Sequence, residues 1–352
     1  MASVTSLGAP LNIGAVAVQN RICIPPMVLY GAGGPGNQAT EAHVAHYRAL
    51  AQGGPGLIIQ EATCVSPEGR LSPGQLGIWS DRQIPGLQAI TEAVHQAGCP
   101  IFVQLHHGGL VSVGAQHLCP SAYRLQTPQG ERRGREMTRE EICRVRDDFI
   151  AAARRAQQAG YDGVELHGCH GYLLCQFLNP RVNRRTDAYG EPTLLVREIL
   201  DGIRACTAGG FAVGVRLGAF EPGLAQGMAH AQALEAGGAE FLDVSYGFAG
   251  EMDLTAPGDP ALRDVIRGAA EIRRVVSVPV FAVNGICTPA QAEGILEQTA
   301  VDMVDIGRSA LVDPDWPRKA LSGQQPGKCL GCQVCQWRMD PSRCPGRRGM
   351  EA

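Results

Sequence analysis

Apolar runs of strand length alternate along this chain with stretches of helical period. The runs cover residues 21–24, 56–60, 101–105, 163–166, 212–216, 240–244, 279–283 and 302–306. Helix signals lie between them. Thr40 opens a helix that stops at Gly53-Gly54, and a second runs over 81–97 to Gly98. Thr138-Arg139-Glu140-Glu141 is a capping box ahead of a long helix closed by Gly160. Thr288-Pro289-Ala290-Gln291 is another, with proline at the first helical position. Eight such units predict an α/β fold, a (β/α)8 TIM barrel in place of an open doubly wound sheet. Three long loops, 31–39, 106–137 and 246–262, follow strands one, three and six and belong to one face.

In such barrels the catalytic groups sit at the C-terminal ends of the strands. The fourth run breaks off there into Leu166-His167-Gly168-Cys169-His170-Gly171-Tyr172. Two imidazoles and a phenol held together can bind a carbonyl or phenolate oxygen and protonate a neighbouring carbon. One such histidine alone reads more readily as a cap or a core residue. The other strand ends change that weighting. Gly285 after strand seven and Gly307-Arg308 after strand eight suit a phosphate, which needs close backbone approach and a cation. Gln104 and Arg216, at the ends of strands three and five, can pair with the edge of a flavin ring.

Composition narrows the class. Hydrophobic content of 45%, charged content of 18% and a net charge of -3 over 352 residues describe a globular chain. They give no electrostatic case for binding nucleic acid or an anionic membrane. No apolar run is long enough to span a bilayer and no signal-peptide pattern opens the chain, so the cytoplasm is the expected compartment. Of the 13 cysteines, nine are scattered through apolar context.

The last four are clustered as C-x2-C-x2-C-x8-C: Cys329, Cys332, Cys335 and Cys344, the last followed by Pro345. Four thiolates this close can enclose a soft metal centre. The tight triple with a Cys-Pro fourth favours a [4Fe–4S] cluster over zinc, which usually shows two separated pairs. Unligated thiols on a polar tail remain the plain alternative. The expected organisation is a barrel over 1–325 and a cysteine-bearing extension over 326–352.

From about Leu11 to Cys344 the residues resemble the Old Yellow Enzyme family, in particular its 2,4-dienoyl-CoA reductase and trimethylamine dehydrogenase branch. The likeness rests on Asn20-Arg21…Pro26-Met27, Gln104-Leu105…His107, His167 to Leu173, Asn183 to Gly190, and Gly307-Arg308…Asp313-Pro314-Asp315-Trp316. The resemblance implies an FMN-binding barrel that reduces activated alkenes or oxidises amines. It implies that Pro26, Met27, Ala62, Gln104 and Arg216 contact the flavin ring, and that Gly285, Gly307 and Arg308 hold its phosphate. It gives His167 and His170 the substrate's electron-withdrawing oxygen and Tyr172 the proton. It also implies a [4Fe–4S] cluster just after the barrel. Val28 and Leu110 depart from the family pattern, Leu110 standing where an arginine is usual.

No G-x-G-x-x-G unit follows the cysteines. The expected electron source is therefore NAD(P)H acting directly on FMN, or a separate electron-transfer protein. The leading reading is an ene-reductase for an enone or enoyl thioester. Alternatives are a dehydrogenase for an amine or a C–C bond, a double-bond isomerase, and a non-catalytic electron-transfer subunit. A small-molecule substrate is expected, and a homo-oligomer is compatible with the sequence.

Overall fold

Eight parallel strands close on themselves: β1 (Ile22–Ile24), β2 (Leu57–Cys64), β3 (Ile101–His106), β4 (Gly163–Gly168), β5 (Ala212–Gly218), β6 (Leu242–Ser245), β7 (Val280–Ala282) and β8 (Met303–Asp305). Each strand pairs with the next and β8 pairs with β1, giving the predicted α/β TIM barrel. This computed structural model describes residues 6–351 other than 115, 128, 129 and 339. Ala352, the end of the expected extension, lies outside them.

The helix stops and starts follow the local chemistry. Thr40, Thr138 and Thr288 each close a capping box ahead of the helices Glu41–Gln52, Arg139–Gln158 and Pro289–Gln298. Their side chains satisfy first-turn donors that the helix itself leaves unpaired. β2 runs past its expected end at Gln60 to Cys64, with a register shift against β3 between Gln60 and Thr63. His167 therefore lies within β4, and the strand's register sets where its ring goes.

Inside the barrel the side chains sort into layers. An antiparallel hairpin, Leu11–Ile13 with Val16–Val18, closes the N-terminal end. Its Ile13 and Val18 join Leu57, Phe102, Phe241 and Phe281 in one dry cluster. Phe241 stacks on Phe281 at 5.2 Å and meets Phe102 at 5.4 Å. A Cβ at Gly214 would stand 2.3 Å from the Phe241 ring, so that position is glycine to make room. Above this floor the interior turns polar: Gln104, Glu165, Arg216, Asp243 and Asp305 are all buried.

The long segment after β3 is not a bare loop. It forms a small sheet from Leu118–Cys119, Tyr123–Thr127 and Gly130–Glu136. Gly130-Glu-Arg-Arg-Gly-Arg-Glu136 has no apolar residue, so it carried no strand signal. After β8, the helices Arg308–Val312 and Trp316–Leu321 lead into the cysteine segment. That segment holds short turns and the helix Pro345–Glu351. Among the described residues no helix is long and apolar enough to cross a membrane.

Candidate active site

The mouth of the barrel holds a cavity of about 280 Å3. Seven of the residues expected to serve the cofactor or the substrate line it: Pro26, Met27, His170, Arg216, Gly285, Gly307 and Arg308. Among the described residues, two of the three non-glycine residues with left-handed backbone, His170 (φ 60°) and Asn284 (φ 113°), are also on its wall. L-residues with a branched or ring side chain adopt that conformation at a cost. Both of these strained positions therefore face the same cavity, and each is held by a polar contact. Asn284 donates to Tyr246 Oη at 2.7 Å, and His170 Nε2 lies 2.7 Å from Ser245 Oγ.

That His170–Ser245 contact is one end of a chain. His170 Nδ1 is 3.1 Å from His167 Nε2, and His167 Nδ1 is 3.1 Å from His106 Nδ1. The Tyr172 ring stands edge-on to His106 at 4.5 Å and to His167 at 4.7 Å. Burial holds all three imidazoles neutral. It lowers His106 to about 3, with repulsion from His107 and His170 adding to it. It pushes His167 well below the usual histidine range. His170 has solvent-accessible surface toward the open cavity. Protein atoms still crowd it, and loss of hydration with the Arg216 charge lowers it to about 3. Burial also raises Tyr172 to about 12, so its proton is retained at neutral pH.

Three neutral imidazoles in such a chain can orient their protons only together. In the closed chain one inner nitrogen, of His167 or of His170, donates to the other across 3.1 Å. Both can be N–H donors, with His106 Nδ1–H donating to His167 Nδ1 and Ser245 Oγ–H to His170 Nε2, only when an acceptor enters between them. An oxygen placed between them then receives two hydrogen bonds. His167, Cys169 and His170 also offer ligand atoms within 4.8 Å of one another. The two histidines already spend their nitrogens on the chain, so hydrogen bonding accounts for that closeness.

Ala62 and Gln104 are not on the cavity wall. Ala62 is buried, its carbonyl accepting from Gln75 Nε2 at 2.9 Å. Gln104 donates to Glu165 Oε1 at 2.6 Å, inside the polar layer beside Arg216. His107, which carries part of the family likeness, points away: its Nδ1 accepts from Gly109 N, and its ring packs against Gly69. His106, one residue earlier, is the one that enters the cluster. Sequence reasoning named neither His106 nor Ser245 for a role. The signal for His106 was its inward position, two residues after Gln104 on one strand face. It also missed Arg263, whose Nε would lie 2.7 Å from a Cβ on Gly285 and which lines a neighbouring cavity that shares Asn284, Gly285 and Ile286 with this one. Leu110, the departure from arginine, is fully buried against Cys119, Cys175, Val182 and Phe248.

The cavity fits a flat ring with an anionic tail. Pro25, Pro26, Met27 and Val283 supply apolar wall, and Gly285, Gly307 and Arg308 lie to one side. Two buried groups on that wall make no aligned hydrogen bond: Arg216 at Nε, which is ion-paired with Asp243 Oδ2 at 3.0 Å, and Asp305 at both carboxyl oxygens.

Residues 6–326 match the NADH:flavin oxidoreductase / NADH oxidase family. The chain belongs to this family, that of Old Yellow Enzyme. It is a flavoenzyme of the ene-reductase type, and the family implies FMN. The chain is 34% identical to an NADPH dehydrogenase of Halalkalibacterium halodurans, over 88% of this chain and 91% of that protein. It is 36% identical to an NADH oxidase of Thermoanaerobacter brockii over 92% of this chain. It spans only 52% of that NADH oxidase's length. In three dimensions it is similar to an Old Yellow Enzyme homologue from Zymomonas mobilis, with a TM-score of 0.77 and 30% identity. That likeness covers 95% of this chain and 98% of the other.

The cysteine segment packs against the same mouth. A cavity of about 30 Å3 is lined by Cys329, Cys332, Cys335, Cys344, Trp337 and Arg308, among others. Cys329, Cys335, Cys344 and Trp337 pack with Met27 and Leu29. Cys329 N donates to Ser309 Oγ at 3.2 Å, and Gly331 N to Cys329 Sγ at 3.4 Å. The four thiols are free, and Cys332 is exposed. Among the described residues their sulfurs do not gather within 4.8 Å of one another. One tetrahedral ion with bonds of about 2.3 Å would demand closer sulfurs than that.

Proposed function

We propose that this chain reduces an activated C=C bond, in an enone or enoyl thioester, with FMN as its cofactor and NAD(P)H as a direct electron source. The observation that carries this reading is the Ser245–His170–His167–His106 chain with Tyr172 beside it, at the rim of a cavity suited to a flavin. The names of the relatives, NADPH dehydrogenase and NADH oxidase, support the donor.

In this reading Pro26, Met27 and Arg216 on the cavity wall contact the ring, with Ala62 and Gln104 buried behind that wall, and Gly285, Gly307 and Arg308 hold the phosphate, with Arg263 adding to its field. The chemistry FMN supplies when bound is hydride transfer to the β-carbon of the alkene. His167 Nε2–H and His170 Nδ1–H hold the substrate's carbonyl oxygen as negative charge grows on it. Their mutual 3.1 Å contact opens to admit that oxygen. His106 and Ser245 hold the outer nitrogens as acceptors, so that both inner protons face the substrate. Neutral imidazoles suit this task, because a proton lost to the oxygen would end the hydrogen bond's directing role. Tyr172 Oη delivers the proton to the α-carbon, and burial keeps it protonated for that purpose.

The convergence of four cysteines on one small cavity, with their C-x2-C-x2-C-x8-C spacing, supports a second element of the reading, a [4Fe–4S] cluster on Cys329, Cys332, Cys335 and Cys344. For such a cluster the segment must open wider than the roughly 30 Å3 it encloses here. Met27, Arg308 and Ser309 line the flavin cavity and also touch the cysteine segment or its cavity. A cluster held by these cysteines would supply one-electron transfer between FMN and a separate protein. Anaerobic purification tests both elements. The cofactor released by heat should be FMN by mass spectrometry, and iron and sulfide should each be about four per chain, as that cluster type requires. NAD(P)H oxidation should depend on an added enone. Turnover of amines with no turnover of enones would reverse the direction assigned here, and zinc in place of iron would make the cysteine site structural.

A further inference from the structure

The polar layer under the cofactor cavity holds three carboxyl groups and one guanidinium. Glu165 comes from β4, Arg216 from β5, Asp243 from β6 and Asp305 from β8, and none is more than 5% exposed. Arg216 Nε is 3.0 Å from Asp243 Oδ2, and a terminal nitrogen of Arg216 is 3.7 Å from Asp305 Oδ2. Asp243 thus takes the close position beside the charge, and Asp305 stands farther off. Of the three acids only Asp305 reaches the cavity wall. Neither of its oxygens makes an aligned hydrogen bond although it is 1% exposed, and Asp243 and Cys23 are the side chains near enough to share its proton. One residue, Ile306, separates it from Gly307, so it adjoins both the Arg216 guanidinium and the Gly307-Arg308 stretch of the cavity wall.

Three ionised carboxylates around one guanidinium, without water, repel one another more than the single cation can offset. The layer therefore keeps protons. Burial pushes Asp305 well above the usual carboxylate range, and the Asp243 charge adds to the push. Glu165 is raised in the same way. Two thiols also neighbour the layer, Cys23 of β1 and Cys169, and burial holds both protonated, with Asp305 adding to the effect at Cys23.

We propose that Asp305 is a neutral carboxylic acid that donates a hydrogen bond to the bound cofactor, and so stabilises the negative charge the ring acquires on reduction. This rests on the FMN reading above. Asp243 and Arg216 form the ionised pair, and Asp305 holds the proton that the pair does not need. An acid kept neutral by its surroundings is a stronger hydrogen-bond donor than an amide or a hydroxyl, and it adds no opposing charge beneath the ring.

The test compares Asp305→Asn with Asp305→Leu in the FMN-loaded protein, by spectroelectrochemical titration and by flavin release. Asparagine keeps a neutral donor, so its potential should stay near that of the wild type. Leucine removes the donor. It should weaken binding of reduced FMN about tenfold more than binding of oxidised FMN, a fall of about 30 mV in the two-electron potential. In the wild-type protein, the redox-difference infrared spectrum should carry a protonated carboxyl stretch that is absent from Asp305→Asn. This measurement does not depend on the leucine variant folding. A higher potential in Asp305→Asn, with no such band in the wild type, would mean that Asp305 is ionised and would overturn the proposal. An unchanged potential in a flavin-loaded Asp305→Leu would overturn it as well. A wild-type chain that retains no flavin would instead remove the cofactor reading on which the proposal stands.

Discussion

The two ends of this barrel are built from the same strands to opposite rules. At the floor, Phe102, Phe241 and Phe281 fill the interior with rings and the N-terminal hairpin seals it. At the mouth, the same strands a few residues later carry Gln104, His106, His167, Arg216, Asp243 and Ser245, and a cavity remains open. The rings of the floor have no polar atom to satisfy. The mouth keeps buried polar atoms without partners and two non-glycine residues in left-handed backbone. A cost in stability is thus concentrated where a ligand can relieve it. The comparison teaches that stability and chemistry are separable here, along the strand axis, over a distance of a few residues.

Substitutions at the two ends should accordingly part. The largest effect belongs to Tyr172→Phe. Losing a general acid costs about 10²–10⁴-fold in the step it serves. Stopped-flow reoxidation of reduced enzyme by an enone should slow by that factor, while the thermal midpoint and the flavin reduction rate stay near those of the wild type. Full reoxidation rate in this variant would remove the proton-donor role. Phe241→Ala should do the reverse. Deleting a buried ring costs about 3–5 kcal/mol of stability. Denaturant titration should record that loss, while the flavin spectrum and the oxygen-binding histidines at the mouth are left as they are. A large change in enone turnover from Phe241→Ala, in protein still folded, would show that the two ends are coupled.

Smaller effects probe the chain at the rim. His106→Ala and Ser245→Ala each remove one hydrogen bond that fixes a tautomer. A hydrogen bond of this kind contributes about 1 kcal/mol, so carbonyl or phenolic ligands should bind several-fold more weakly to each variant. Equal affinity in both would mean that the outer contacts do not set which nitrogens face the substrate. The smallest effect is an absence of change with pH. Burial lowers His106 and His170 to about 3 and raises Tyr172 to about 12. The lowered histidines gain a proton only in strong acid, and the raised phenol loses one only in strong base. The reoxidation rate should therefore be flat from about pH 5 to about pH 10, within the span of those two ionisations. A limb near the ordinary histidine value of about 6.5 would indicate an imidazolium in the working site.

Much of the mouth was legible because it is local. Thr138 and Thr288 announce their helices within four residues, and each strand end announces itself where an apolar run meets glycine or histidine. Seven expected site residues arrive on one cavity for that reason. His106 and Ser245 were not picked out: His106 had only its inward alternation with Gln104, and a serine at a strand end carries no signal until the neighbouring strands are in register. Asp243 and Asp305 had a signal that went unread: a carboxylate inside a run such as Phe241-Leu-Asp-Val244 contradicts the burial that the run itself implies. The small sheet over 118–136 had none, because its Gly130–Glu136 strand is held by backbone pairing with Leu118–Cys119 and Tyr123–Thr127 and not by a buried face.

What the sequence by itself determined is the order of elements, their caps, and which end of the barrel holds the chemistry. Periodicity and capping depend on residues a few places apart, and a parallel βα alternation has few ways to close. What only the tertiary structure decided is partnership across the barrel. Ser245 meets His170 from 75 residues away, and His106 meets His167 from 61. Arg216 stands between Asp243 and Asp305 because β5, β6 and β8 point those side chains into one layer. The cysteine segment returns to Met27, more than 300 residues back along the chain, because Trp337 and Cys344 find apolar cover there. Contacts of that range depend on strand register and ring closure, which no local pattern encodes.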